Sequence, residues 1–305
     1  MYTILGAGGA IGNELAKVCI DNKQPLRLVS RKPKEMAGAE GKAADLLILD
    51  EVREAVKGSS VVFLTAGIQY KLKVWQMDWP VIMDNVIRAC EEHNARLVFF
   101  DNIYCLGKVD GPMKEDTPFN PCSKKGEVRA YIAGKVLEEV KNGNLKAMIT
   151  RSADFYGPNC KTSGMNLMAI EKLMKGKKAQ CFVTADLPHS FTYTPDCGKA
   201  LWTLSQDESA WNQIWHMPTA GPAPTTRHLV EIAASQLNQK PGITTLGSGM
   251  CKFLGLFIPI LKEMVEMLYQ NDSPYIFDSS KIEQRYGLKA TPYEEGIRAT
   301  IQSYR

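Results

Sequence analysis

The amino-acid sequence predicts an α/β protein: a doubly wound parallel sheet followed by a smaller mixed α/β lobe. Three observations lead to this fold class. An apolar strand at residues 2–5 runs into a glycine-rich segment and then an apolar-periodic helix. Short apolar runs alternate with helical patterns up to residue 151, as in βαβ units. Beyond that point, glycines and prolines separate shorter helices.

The first unit is expected to contain six strands with helices between them. Its predicted elements are, in order, strand 2–5, helix 11–20, strand 26–29, a third-strand region near residue 45, strand 61–65, helix 81–92, strand 97–100, helix 127–140 and strand 147–149. Around helix 81–92, a spacing of three and four places the following apolar residues on one face: Trp79, Ile82, Met83, Val86, Ile87 and Cys90. These residues are expected to be core residues.

The second unit is expected to be a substrate lobe with helices at 197–204 and 228–237. We place residues 1–155 in the first unit and 156–305 in the second, and expect one or more later strands to return to the first. The most apolar stretch, 253–261, contains Pro259 and is bounded by Lys252 and Lys262. It is too short to span a bilayer of about 30 Å, so a buried or lid-like helix is expected rather than a membrane contact.

Composition excludes several classes of protein. The 305 residues are 45% hydrophobic and 23% charged, which is typical of a globular chain. The net charge of +4 comes from scattered residues, so nucleic acid is not an expected partner. The first residues lack the basic and apolar regions of a secretory signal, and a cytoplasmic location is expected. Eight cysteines without a CxxC pair and four histidines without ligand spacing predict no metal site.

The glycine-rich segment predicts a dinucleotide site. Gly6 would allow a tight turn, Gly9 a close approach of the backbone to a pyrophosphate, and Gly12 close packing of helix on strand. Ala10 and Ile11 open the helix, whose N-terminus would face the negative charge. The spacing Gly6-x-x-Gly9-x-x-Gly12 differs from the GxGxxG of most dehydrogenases.

Residues after the second strand bear on the choice of cofactor. Arg31 stands where an NAD-specific protein usually carries an acidic residue that binds the ribose 2′-hydroxyl. An arginine there can hold a 2′-phosphate, so NADP is mildly favoured over NAD.

Several motifs together make the chain similar to the extended short-chain dehydrogenase/reductases, also called the NAD-dependent epimerase/dehydratase family. The matching segments are the glycine loop 6–12, Asp45, residues 64–67, 97–102, 115–121, Arg151 with 155–158, and 191–196. The resemblance runs along nearly the whole chain.

This resemblance implies a Rossmann fold with a nicotinamide cofactor across the carboxyl ends of the strands. Asp45 and Leu46 would lie near the adenine, and Ala66 and Gly67 would also line the cofactor site. It further implies a small-molecule substrate such as a nucleotide sugar, held by the second lobe, and assembly as a homodimer.

Members of the family use a Ser or Thr, a Tyr and a Lys in a YxxxK pattern, and this sequence departs from it. Aligned on Asn120-Pro121, the Tyr position holds Lys125 and the Lys position holds Arg129. A literal YxxxK, formed by Tyr131 and Lys135, follows six residues later. Six residues rotate a helix face by roughly 240°, so only one of the two registers can face the nicotinamide. The alignment favours the first register, and both remain open.

Other candidates lie near strand ends. Asn102 occupies the Ser/Thr position of the family, where its amide would orient a substrate oxygen or close an Asx turn. Tyr104 is a substitute phenol in the same loop. Arg151 could hold a substrate phosphate at the end of its strand, and Tyr156 lies in a Tyr-Gly-Pro turn that the family places beside its substrate.

The sequence therefore predicts an NAD(P)-dependent oxidoreductase or epimerase/dehydratase acting on a nucleotide sugar or another small carbonyl or hydroxyl compound. The alternative is a redox-sensing protein that binds NADP(H) without catalysis. That alternative rests on Lys125 and Arg129, since neither side chain can replace a phenol.

Overall fold

A computed structural model describes residues 1–33 and 35–305 of the chain. Within them, seven strands form one parallel sheet in the order β10-β6-β5-β4-β1-β2-β3. The strands of this sheet are β1 Tyr2–Leu5, β2 Leu26–Ser30, β3 Glu40–Ala43, β4 Val61–Leu64, β5 Arg96–Asp101, β6 Ala147–Arg151 and β10 Ile214–His216. The remaining strands pair in parallel as β7 Asp154–Tyr156 with β9 Phe191–Tyr193, and as β8 Ala179–Phe182 with β11 Ile243–Leu246.

The helices of the described residues fall between these strands and after them. They are α1 Ala10–Asp21, α2 Leu49–Val56, α3 Leu72–Glu92, α4 Lys124–Asn142, α5 Glu171–Met174, α6 Thr194–Gln206, α7 Thr226–Gln236, α8 Ser248–Gly255, α9 Pro259–Val265, α10 Ser280–Tyr286 and α11 Tyr293–Gln302.

The central strands of the sheet are buried on both faces, which is why they are nearly continuous apolar runs, whereas the edge strand β3 is mostly exposed. On one face, α2, α3 and α4 pack over Leu64, Leu97 and Phe99. On the other face, α1 and α6 pack over Ile4 and Phe63. Strand order turns back between β1 and β4, so the carboxyl ends of these two strands border a crevice suited to a ligand. The predicted Rossmann fold is confirmed.

Helix α3 begins at Leu72, nine residues before the predicted start at 81. Trp75 and Trp79 are buried and continue the apolar face of the helix toward its N-terminus. Pro80 lies inside the helix and obscured this continuity, because proline usually interrupts a helix. The longer helix places Trp75 at the carboxyl edge of the sheet.

Segments beyond residue 155 pack on the main sheet as well as on one another. Strand β10 pairs with β6 at the edge of the main sheet, and α6 packs on α1, where Gly198 approaches the backbone of Glu14. The C-terminal lobe has its own core, centred on Tyr156, Tyr193 and Tyr293. The end of the chain thus contributes to both units.

Candidate functional site

The glycine loop presses against the segment that follows β4. Gly6 has a φ of +101°, in the region that favours glycine. A Cβ on Gly6 would lie 2.4 Å from the Cα of Ala66, and a Cβ on Gly12 would lie 3.0 Å from Thr65 Oγ1. The glycines therefore let the β1–α1 turn meet the end of β4 at backbone distance.

The same loop leaves a cradle suited to a dinucleotide. Gly9 caps α1 without a side chain, and the first turn of α1 carries no acidic residue. The amide N–H groups at Ala10 and Ile11 are thus available to an anion. A Cβ added at Gly8 or Gly67 would meet no atom within 4 Å, so there is space on this side of the loop. The arrangement fits a pyrophosphate.

The other predicted cofactor residues follow β2 and β3. Arg31 is exposed, and the structure shows it no ion-pair partner in residues 1–33 and 35–305. The Asp45 carboxylate accepts a hydrogen bond from the amide of Leu47 at 3.0 Å. The carbonyl of Leu46 accepts one from the Asn85 amide at 2.9 Å, which ties this loop to α3.

Asn102 and Tyr104 lie directly after β5. The Asn102 Oδ1 accepts a hydrogen bond from the amide N–H of Tyr104 at 3.0 Å, so the side chain closes an Asx turn. Both residues are half-buried at the carboxyl edge of the sheet. The turn fixes the backbone of Tyr104 at the edge where ligands collect in open α/β sheets.

An aromatic cluster surrounds Tyr104. Its ring stacks on Trp75 with centroids 6.2 Å apart, and Trp75 meets the Tyr70 ring edge-on at 5.4 Å. Sequence reasoning missed Tyr70, which lies in the loop between β4 and α3. Tyr70 could have been identified from its position three residues after Gly67, in the loop that follows a strand end.

Burial and a nearby carboxylate keep Tyr104 protonated. Burial raises the pKa of Tyr104 well above its usual range, and the Tyr70 phenol and the Asp154 carboxylate raise it further. Burial also raises the pKa of Tyr70. The phenol is therefore held in its protonated form and can donate a hydrogen bond to a substrate oxygen, while burial makes it a weaker acid than a free tyrosine.

Lys125, at the family's tyrosine position, is fully buried. Its ammonium contacts the carboxylates of Glu263 at 2.7 Å and Glu266 at 2.8 Å, and it lies 4.8 Å from the centroid of the Tyr70 ring. Glu263 also accepts a hydrogen bond from the amide of Leu72 at 2.7 Å. The α9 segment is thereby tied to α3 and α4, and its two carboxylates offset the lysine charge.

Arg129, at the family's lysine position, is also buried and paired. Its Nε donates to Asp101 Oδ1 at 2.6 Å. The guanidinium lies between the rings of Trp79 at 4.5 Å and Phe99 at 5.1 Å. This arrangement turns Arg129 toward the sheet and α3, where it stabilises the packing of α4.

The literal YxxxK motif lies on the opposite face of α4. Tyr131 is 51% exposed, and Lys135 forms an ion pair with Asp84 of α3. The structure thus places Lys125 and Arg129 on the inner face and does not bring Tyr131 or Lys135 to the carboxyl edge of the sheet. The reason is the rotation of roughly 240° that six helical residues produce.

Arg151 ends β6 beside Asp101 of β5, with which it is in register. It is fully buried, and none of its guanidinium nitrogens has a hydrogen-bond partner in the described residues. Its guanidinium lies 5.0 Å from the ring centroid of Phe119. Buried donors of this kind are costly unless a ligand or water satisfies them.

The prediction of substrate contact for Tyr156 is wrong. The residue is 1% exposed in the core of the C-terminal lobe, where its ring stacks on Tyr293 at 5.9 Å. Its hydroxyl lies against Gly296 of α11, where an added Cβ would be 2.3 Å away. Tyr156 therefore packs α11 onto β7 and has no access to a substrate.

Comparisons with known proteins agree with this geometry. A sequence profile of the NAD dependent epimerase/dehydratase family matches residues 2–215. Cinnamoyl-CoA reductase 1 of Petunia hybrida is 25% identical over 327 residues, covering 98% of this chain and 90% of the relative. The dTDP-glucose 4,6-dehydratase of Mycolicibacterium smegmatis is 24% identical over 126 residues, covering 40% of this chain and 38% of the relative.

Solved structures share the whole fold. UDP-glucose 4-epimerase of Thermus thermophilus, in complex with NAD, has a TM-score of 0.80 at 17% identity, covering 100% of this chain and 99% of that chain. UDP-glucose 4-epimerase of Thermotoga maritima, with UDP-glucose, has a TM-score of 0.81 at 15% identity and the same coverage. With the family profile matched over more than half of its length, the chain belongs to the NAD dependent epimerase/dehydratase family.

Proposed function

We propose that this protein is an NAD(P)-dependent enzyme that transfers hydride to or from a small carbonyl or hydroxyl substrate, with a nucleotide sugar as the favoured class. The observation that carries the proposal is the half-buried Tyr104 phenol at the carboxyl edge of β5. The redox-sensing regulator gains no support, because the named relatives are enzymes.

The cofactor would lie across the crevice between the glycine loop and the end of β4. The N–H groups of the first turn of α1 would hold its pyrophosphate, and Asp45 would lie on the adenosine side. Structural relatives were solved with NAD. The preference for NADP over NAD remains a prediction that rests on Arg31. When bound, the cofactor supplies or accepts the hydride.

The chain itself would supply orientation and the proton. Asn102 would orient the substrate oxygen with its amide N–H₂ group, because its Oδ1 is already engaged in the turn. Tyr104 would donate the proton to that oxygen as the hydride arrives, and the opposite direction would require the phenolate form of Tyr104 to take the proton back. Tyr70 and the Asp154 carboxylate would favour the protonated form of Tyr104, because both disfavour a phenolate beside them. The Arg151 guanidinium is fully buried and has no hydrogen-bond partner in the described residues, so it would bind a substrate phosphate only where that phosphate reaches below the protein surface.

The test compares two matched substitutions, Tyr104→Phe and Tyr131→Phe. The readout is the consumption of NADH or NADPH with a panel of 4-keto nucleotide sugars, aldehydes and ketones, and the inversion of UDP-sugars with NAD. We expect Tyr104→Phe to lower kcat by about 10²- to 10⁴-fold, the usual contribution of a general acid, without weakening cofactor binding. Tyr131→Phe should leave kcat unchanged, because its phenol lies on the outer face of α4.

The opposite pattern, in which only Tyr131→Phe loses activity, would show that α4 presents its YxxxK face to the substrate. Tight cofactor binding without turnover of any compound in the panel would favour the regulator instead.

A further inference from the structure

The segment containing α8 and α9 differs from the buried helix that the sequence predicted for 253–261. The two short helices form a hairpin, with Gly255 packed on the backbone of Lys262, where an added Cβ would lie 3.2 Å from the Lys262 Cα. Its apolar side chains are exposed rather than buried: Met250, Phe253, Leu256, Phe257, Ile258 and Ile260. We define these six residues as the apolar hairpin surface.

The most exposed of these side chains lie at the turn between the helices. Leu256 is 76% exposed and Phe257 is 71% exposed. Soluble monomers rarely expose adjacent large apolar side chains in such a cluster without a binding role. The surface is also ordered, because the rings of Phe253 and Phe257 pack edge to face with their centroids 5.7 Å apart.

The acidic side chains of the hairpin face the protein, whereas its lysines face solvent. The acidic residues of α9 and its end, Glu263 and Glu266, turn inward to Lys125. Lys252 and Lys262 are exposed and have no ion-pair partner in the described residues. Leu72 binds Glu263 through its amide, and the exposed Lys71 precedes it. The outward side is therefore apolar with a rim of lysines.

We propose that the apolar hairpin surface docks on an anionic lipid membrane. Exposed aromatic and aliphatic side chains flanked by lysines are typical of segments that lie in the headgroup region of a bilayer. A protein partner fits less well, because lysine is depleted at protein–protein interfaces. No helix in residues 1–33 and 35–305 is long and apolar enough to cross a bilayer, so the contact is with the surface alone.

This inference revises the expectation that no membrane takes part. That expectation assumed that the apolar stretch packs on its own protein. In the structure, the inward side of the hairpin is held by the contacts of Glu263 and Glu266 with Lys125, while the six apolar residues stay in solvent.

Flotation of the full-length protein with vesicles tests the proposal. Vesicles of phosphatidylcholine mixed with phosphatidylserine should bind the chain, and vesicles of phosphatidylcholine alone should bind it more weakly. The double variant Leu256→Ser/Phe257→Ser should reduce binding at least about 100-fold, given about 1.5–3 kcal/mol for burial of each side chain. Lys252→Gln/Lys262→Gln should reduce binding to the anionic vesicles about 25-fold, at about 1 kcal/mol for each lysine.

The matched control is Leu47→Ser/Ile48→Ser, which removes another adjacent pair of exposed apolar residues and should bind vesicles like the unaltered chain. Failure of the unaltered chain to float with anionic vesicles would overturn the proposal, as would binding that the hairpin substitutions leave unchanged. An oligomer that Leu256→Ser/Phe257→Ser dissociates, in a chain that binds no vesicles, would instead assign the surface to a second copy.

Discussion

Lys125 and Arg129 carry positive charge on the inner face of α4, yet carboxylates of the same chain already offset both charges. Glu263 and Glu266 contact the lysine, and Asp101 contacts the arginine. Neither cation is free to lower the pKa of a nearby phenol, and the raised pKa of Tyr104 agrees with this. At this scale, Tyr104 is held in its protonated form.

His216 gives a prediction for the pH dependence of stability. The residue is fully buried, stacks on Phe277 at 4.1 Å and contacts the carbonyl of Asp278 at 2.7 Å through Nδ1. Burial lowers its pKa to about 3. In the unfolded chain this histidine is protonated near pH 6.5, whereas in the folded chain it stays neutral down to about pH 3. The free energy of unfolding therefore falls as the pH decreases from about 6.5 to about 3.

The variant His216→Asn should remove this dependence. Between about pH 4 and 6, the free energy of unfolding should change less steeply with pH than in the unaltered chain, by up to about 1.4 kcal/mol per pH unit. Urea unfolding at several pH values measures the slope, and His228→Asn, at an exposed histidine, is the control. Equal slopes for His216→Asn and the unaltered chain would show that His216 accepts a proton in the folded state.

At the scale of elements, the site depends on how closely the β1–α1 turn meets the end of β4. Gly6 and Gly8 both have a positive φ, +101° and +92°. They differ in surroundings, because a Cβ on Gly6 would strike the backbone of Ala66 while a Cβ on Gly8 would enter open space. Alanine substitutions at these two glycines therefore distinguish the free-energy cost of a positive φ from the cost of a steric clash between the turn and β4.

Gly6→Ala should therefore destabilise the fold more than Gly8→Ala does. A positive φ costs an alanine about 1–2 kcal/mol, and this cost applies to both variants. Gly6→Ala must in addition separate the turn from β4, so the loss in unfolding free energy should exceed that of Gly8→Ala and NAD binding should weaken. Chemical denaturation and NAD titration measure the two effects. Equal losses of unfolding free energy in the two variants would contradict the close approach of Gly6 to the backbone of Ala66.

At the scale of the whole molecule, segments from both halves of the chain build the sheet that positions the cofactor site. Strand β10 and helix α6 come from beyond residue 155 but pack on the first unit. A ligand that binds the folded chain across this sheet should stabilise the entire molecule by mass action.

Cofactor binding should accordingly raise the melting temperature. At about 100 times its Kd, a cofactor adds about 2.7 kcal/mol, enough to shift the Tm by several degrees. Arg31→Ala should reduce the shift produced by NADP and preserve that produced by NAD, because only NADP carries the 2′-phosphate. Thermal unfolding with each cofactor measures this. A shift with NADP that survives the substitution would exclude Arg31 from the site.

Local patterns were enough to predict the Rossmann sheet, the glycine loop and the family, because strands, turns and helix faces depend on residues close together in the sequence. Residues 2–5 and 6–12 carry this information within one strand and one turn. The same patterns left two registers open on α4, since both faces of that helix carry candidate residues.

Only the tertiary structure decided which face of α4 turns inward, because this depends on contacts with residues far along the chain. Glu263 and Glu266 bind Lys125 from some 140 positions away, and Asp101, at the end of β5, binds Arg129. The same holds for the burial of Tyr156 against Gly296 and for the exposure of the apolar hairpin surface. Local sequence determines which elements form, whereas the packing of distant elements determines which side chains meet and which remain in solvent.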